Sequence, residues 1–177
     1  MEFKDKIRST ILSQTTKDLR VGIELESIIY TKNNNRLQVN RGDCFTATDL
    51  LRKLKDGNDK NGLYSLEPGG QVEWSSPPFK DLNELQHSLK SYQKLIDSVL
   101  IDKELKLIDY GLDPIHTPQE VELINQKKYS LMDEYMEKSG TMGKWMMRST
   151  ASIQVNLDTK CDKDMEEIAF ISDCIHP

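Results

Sequence analysis

The stretch LRVGIELESIIY (19–30) is dense in apolar and β-branched residues and reads as a strand, with TKNNNR (31–36) as the turn after it. Upstream, residues 3–16 have the composition of a short helix. A polar opening followed by leucines at helical spacing places a helix in GDCFTATDLLRKLKDG, ending at Gly57. DGNDKNG is a loop, and LYSLEPGGQVEWSS (63–76) reads as strand, turn, strand. Pro77 and Pro78 interrupt that pattern. Asp81 then has the character of a helix N-cap, with Glu84 three residues later as its capping-box partner. The helix runs from about Leu82 to Leu100, with Leu82, Leu85, Leu89, Tyr92, Leu95, Ile96 and Val99 on one stripe.

Beyond it, LKLIDYGLDP (105–114) reads as a strand, and a helix is expected after Pro118, from about Gln119 to Lys138. WMMRSTASIQVNLD (145–158) is the longest strand candidate, and a last helix begins near Asp162. The expected fold class is α+β: a mostly antiparallel sheet with helices on one face, in a single domain over residues 1–177.

The polar positions inside the strands carry the candidate chemistry. Glu24 and Glu26 are two residues apart, so both side chains leave the strand on the same face, about 7 Å apart. They gain nothing from each other there, and either water or a divalent cation offsets their repulsion. In LEPGGQVEW, Pro68 and Gly69 suit the two central positions of a type II turn. With a two-residue turn, Glu67 and Glu73 fall on opposite faces. If Gly70 adds a bulge residue, Glu67 pairs with Gln71, and Glu67, Gln71 and Glu73 share a face. On local sequence the plain hairpin with solvated acids is the simpler reading. A third polar row, Arg148, Thr150, Ser152, Gln154, Asn156 and Asp158, alternates with Met147, Ser149, Ala151, Ile153, Val155 and Leu157. That row is either solvated or, being mostly amides and hydroxyls, set to hydrogen-bond a small polar ligand.

Composition changes the picture only at the edges. The chain has 177 residues, 37% of them hydrophobic, enough for one core. A net charge of −5 argues against a nucleic-acid backbone as partner. No apolar run approaches the roughly 20 residues that span a bilayer, and the N-terminus has no apolar leader core. Cys44, Cys161 and Cys174 form no CxxC pair, which suggests free thiols, no zinc site and a reducing, cytoplasmic setting. Tyr129, Met132, Tyr135 and Met136 have the spacing of a core stripe. Trp74 and Trp145 read as packing or pocket wall, His87 as solvent-facing and His116 as a loop residue.

VGIELE, SLEPGGQVEWS, GLDP, KYSLMDEYM before SGTMG, and MMRSTASIQVNLD occur in one order and spacing. Together they resemble the plant and proteobacterial type of glutamate–cysteine ligase, a carboxylate–amine ligase family with a glutamine-synthetase-like fold, over about residues 19–177. The resemblance implies Mg2+ and ATP, phosphorylation of the glutamate γ-carboxylate, and attack by the amine of cysteine, the first step of glutathione synthesis. It places Glu24, Glu26, Glu67 and Glu73 at metal. It implies a substrate site lined by Gln71, Thr150, Ser152, Gln154 and Asn156, with Arg148 as the catalytic residue that grips a substrate carboxylate. The family pattern carries its arginine one residue later, where Ser149 stands. Family members are also much longer. The expectation is therefore the N-terminal half of a catalytic domain, completed by a further segment or second chain and weakly active alone. A γ-glutamyl ligase with another amine acceptor, a metal- or amino-acid-binding module without turnover, and a structural domain with solvated acids are the other readings.

Overall fold

The computed structural model describes residues 3–12, 17–40, 42–57 and 60–175. The elements are α1 (Phe3–Leu12), β1 (Val21–Thr31), α2 (Ala47–Asp56), β2 (Leu63–Leu66), β3 (Val72–Ser75), α3 (Leu82–Asp102), β4 (Leu105–Ile108), α4 (Lys127–Ser139), α5 (Gly143–Ser149), β5 (Ile153–Leu157) and α6 (Asp162–Ile175). The fold is α+β with an open antiparallel sheet, as the residue pattern indicates. Residues 13–16, the end of the expected first helix, lie outside the described ones.

β1 is the spine of the sheet. One edge pairs with β3, which pairs in turn with β2. The other edge is shared: β5 covers Val21–Leu25 and β4 covers Ile28–Thr31. Strand alternation sends Ile23, Leu25 and Ile29 to one face, where Val72, Trp74, Tyr64 and Leu107 join them. α2 and α3 close that face with Leu50, Leu54, Tyr92, Ile96, Val99 and Leu100. Trp74 lies flat on Tyr92, with ring centroids 4.7 Å apart and planes 4° apart, and its indole N–H donates to the Asn61 carbonyl at 2.6 Å.

The helix starts follow their caps. Thr46 and Asp49 form a full capping box on α2. On α3 the Asp81 carboxylate caps the Asn83 amide at 2.6 Å, and Glu84 does not complete a box. Leu82, expected on the apolar stripe, is exposed, because the first turn of α3 overhangs the core.

Three expectations fail for tertiary reasons. Residues 119–126 are not helical. Ile124 N–H donates to the Pro68 carbonyl at 2.9 Å, Asn125 N–H donates to Asn40 Oδ1, and Glu122 accepts from the Val39 and Asn40 amides. These long-range bonds replace the i to i−4 ladder, and α4 begins only at Lys127. The segment 145–158 is not one strand: α5 ends at Ser149 and β5 starts at Ile153. The Tyr129–Met136 stripe is not core either, since α4 buries no residue fully and Tyr135 is 68% exposed.

Candidate functional site

The face of the sheet opposite α2 and α3 carries the acids. Glu26 sits directly across from Glu73, and Glu73 directly across from Ser65. Directly opposed residues share a face, so these three point together.

Glu67 reaches the same face through the turn. Gly70 N–H donates to the Glu67 carbonyl at 2.8 Å, and Glu67 N–H donates to the Gln71 carbonyl at 2.9 Å. Gly70 has φ +81°, while Gly69 stays at negative φ. The expected type II turn would put the positive φ on Gly69. The structure instead has a type I turn closed by a Gly70 bulge, which adds the residue that brings Glu67 round to the Glu73 side. Gly69 is needed for closeness: a Cβ there would lie 2.5 Å from the Arg148 carbonyl oxygen.

The result is a cluster of Glu26, Glu67 and Glu73, all half-buried, with one carboxylate oxygen from each within 4.8 Å of the others. Among the described residues it is the one grouping of three or more His, Cys, Asp or Glu side chains close enough to hold an ion. Two of the acids are fixed by donors. Glu73 Oε1 accepts from the Ser65 hydroxyl at 2.6 Å and the Ser75 hydroxyl at 3.2 Å. Glu26 Oε2 accepts from the Ser152 N–H at 2.9 Å. Glu67 bears the cost of the crowding. Burial, then the charges of Glu26 and Glu73, push its carboxyl up to about 7, a shift that a hydrogen bond shared with Glu73 adds to and Lys128 only partly opposes. Three carboxylate oxygens at this spacing form a donor set that fits a hard divalent cation such as Mg2+.

Glu24 shares the face but not the cluster. Its Oε1 accepts from Asn156 Nδ2 at 2.9 Å, and Asn156 Oδ1 accepts from Gln154 Nε2 at 2.9 Å. Gln154 and Asn156 stand opposite Glu24 and Gly22 across the β1–β5 pair, so amides and acids line one continuous polar surface. Where β5 ends and β4 has not yet begun, a cleft of about 450 Å³ opens beside Glu26, bordered by Ser27, Tyr92, Asp109, Tyr110 and Ser152.

Arg148 is placed differently from the sequence expectation. It lies on α5, off the polar row, and its guanidinium is already occupied. Asp133 takes Nε at 3.0 Å and Nη2 at 2.6 Å, and the carbonyls of Pro118 and Val121 take Nη1. It ties α5 to α4 and the preceding loop, with four of its five N–H groups engaged there. Thr150 is also spent locally, its hydroxyl donating to the Met146 carbonyl at 2.7 Å. Gln71 is buried beneath the α5–β5 junction, with Nε2 donating to the Thr150 carbonyl at 2.9 Å. Ser65 and Ser75 are the residues that sequence reasoning missed. Their signal was present: Ser65 precedes Glu67, and Ser75 follows Glu73, by the strand period of two.

Trp145 borders a small pocket beside Lys144. His87 is exposed, and His116 Nε2 lies 3.0 Å from the Asn34 carbonyl, away from the acids. All three cysteines are free and exposed.

Residues 20–174 match the sequence model of glutamate–cysteine ligase family 2, and the chain belongs to that family. The chloroplastic glutamate–cysteine ligase of Arabidopsis thaliana is 32% identical over 117 residues, which is 66% of this chain and 22% of that protein. The glutamate–cysteine ligase EgtA of Mycobacterium tuberculosis is 29% identical over 160 residues, 89% of this chain and 36% of that protein. The chain therefore spans roughly a fifth to a third of the curated relatives it matches. A bifunctional glutathione synthetase from Pasteurella multocida superposes on the whole chain and on 21% of its own, with a TM-score of 0.47 and 12% identity.

Proposed function

We propose that this chain carries the metal-binding and part of the substrate-binding surface of an ATP- and Mg2+-dependent glutamate–cysteine ligase. In that reaction the γ-phosphoryl group of ATP passes to the γ-carboxylate of glutamate, giving ADP and an acyl phosphate. The amine of cysteine then attacks the acyl carbon, loses a proton, and phosphate leaves as the amide forms. The observation that carries the reading is the convergence of Glu26, Glu67 and Glu73 on one sheet face, in a chain of this family. The cation supplies positive charge that offsets the negative charge of the phosphates during transfer. Glu26, Glu67 and Glu73 would hold it, with Ser65, Ser75 and the Ser152 amide fixing the carboxylates. The Gln154–Asn156–Glu24 chain of hydrogen bonds, one strand-width away, offers donors and an acceptor for an amino-acid substrate.

ADP release in the presence of glutamate, cysteine and Mg2+-ATP tests the reading. A complete ligase containing these residues turns over, and Glu67→Gln abolishes turnover; full activity of that variant would sink the proposal. A γ-glutamyl ligase with another amine acceptor uses the same acids, and ADP release stimulated by other amines but not cysteine would identify it.

A further inference from the structure

Glu26 and Glu73 are held in place by paired strands, but Glu67 lies beyond the end of β2, in the turn. Its aim into the cluster therefore depends on how the turn is held. Two backbone carbonyls supply grips. Ile124 N–H binds that of Pro68, and Arg36 Nη2 binds that of Gly69 at 2.8 Å.

The second grip is unusual in its construction. The Arg36 side chain is 6% exposed, and its Nη1 pairs at 2.8 Å with Asp113, whose side chain is fully buried. Asp113 also accepts from the Tyr30 hydroxyl and from the Ile115 and His116 amides, and its own N–H binds the Ser149 carbonyl at 2.7 Å. A buried ion pair is a poor means of stabilising a fold, since apolar side chains of the same volume do as well or better. What a guanidinium adds is a rigid planar fork, with one prong on Asp113 and the other aimed at a fixed point.

We propose that Arg36, locked by Asp113, is the positioning residue that fixes the Pro68–Gly70 turn and thereby aims Glu67 into the carboxylate cluster. The functional consequence rests on the reading of that cluster as a metal site. Tyr30 and the two loop amides hold Asp113, Asp113 holds the fork, and the fork holds the Gly69 carbonyl two residues from Glu67. None of these groups touches the cluster itself.

Arg36→Lys tests the chain of contacts in the 177-residue protein. Lysine keeps the charge for Asp113 but has no second prong for Gly69. Two readouts apply: hydrogen exchange of the Glu67 and Gly70 amides against those of Tyr92 and Ile96 in α3, and Mn2+ binding followed by electron paramagnetic resonance. The expected result is turn exchange faster by about tenfold with α3 unchanged, and Mn2+ affinity lower by roughly tenfold, the scale of a lost outer-sphere support. Unchanged turn exchange, or turn and α3 amides accelerating together, overturns the proposal, as does unaltered Mn2+ affinity beside a Glu67→Gln variant that loses it. If wild-type Mn2+ binding is itself insensitive to Glu67→Gln, the metal reading fails, and the exchange measurement alone still decides whether Arg36 anchors the turn. Should Arg36→Lys not fold, Arg36→Met/Asp113→Leu removes both buried charges and takes the same two readouts.

Discussion

At Glu67 three facts meet: a half-buried position, two carboxylates within ion-binding distance, and a carboxyl pushed up to about 7. Its folded-state value lies above the ordinary value of 4.5. The protonated form therefore stabilises the fold, fully so below about pH 4.5, and that contribution is lost as pH rises through 7. The metal-free protein should lose several degrees of melting temperature between pH 5 and pH 8. Glu67→Gln, which keeps the shape without the charge, should flatten that slope, and thermal melts across the range read it directly. Saturating Mg2+ should raise the melting temperature at pH 8 more than at pH 5, because at low pH a proton competes for the same oxygen. The individual acids were legible in the sequence because strand periodicity alone puts Glu24 with Glu26. The exclusion of Glu24 from the cluster was not, because it depends on Asn156 reaching across from β5. The placement of Arg148 on α5 was not legible for a similar reason. A guanidinium's partners lie elsewhere in the chain, and here Asp133 and two carbonyls take four of its five N–H groups.

The turn between β2 and β3 is the element on which the site depends. Gly70 at φ +81° faces Val39, and a Cβ there would come within 3.0 Å of the valine Cβ. Gly70→Ala should cost about 1–3 kcal/mol from backbone strain alone, and should weaken cation binding beyond what the stability loss explains, as denaturant melts beside a Mn2+ titration would show. The opposite face makes a contrasting prediction. Trp74→Ala empties the stack on Tyr92 and should cost about 3–5 kcal/mol, while leaving cation affinity near wild type whenever the protein is folded. The hairpin could be read from EPGGQ, whereas its bulge was only one of two local readings, the surplus Gly70 being compatible with both. The break between α5 and β5 could not, because the alternation through residues 147–158 is the same whether or not a helix intervenes. Long-range bonds from Asp133, Gln71 and Asp113 to residues 148–150 decide it.

Across the whole molecule the sheet is asymmetric. One face and its β1–β3 core are sealed by α2 and α3. On β5, Ile153, Val155 and Leu157 remain 53–70% exposed, and α6 exposes Phe170, Ile171 and Ile175. Uncovered apolar edge strands promote association. This chain should self-associate as its concentration rises, and Val155→Lys should suppress that in sedimentation runs without lowering the melting temperature. The same openness leads to an expectation of slow or absent ligase turnover by these 177 residues alone, with cation binding retained. The overall α+β arrangement was legible because strand and helix periods differ, whereas the splitting of one β1 edge between β4 and β5, which opens the cleft beside Glu26, is visible only in the register.

The central claim is that Glu26, Glu67 and Glu73 form one cation site. Titration of the chain with Mn2+ at pH 8, alongside Glu26→Gln, Glu67→Gln and Glu73→Gln, tests it most directly. One ion should bind the wild-type chain, each single substitution should weaken it by roughly tenfold or more, and Glu24→Gln should weaken it much less. Equal affinity across wild type and the three variants, or a loss confined to Glu24→Gln, would contradict the site.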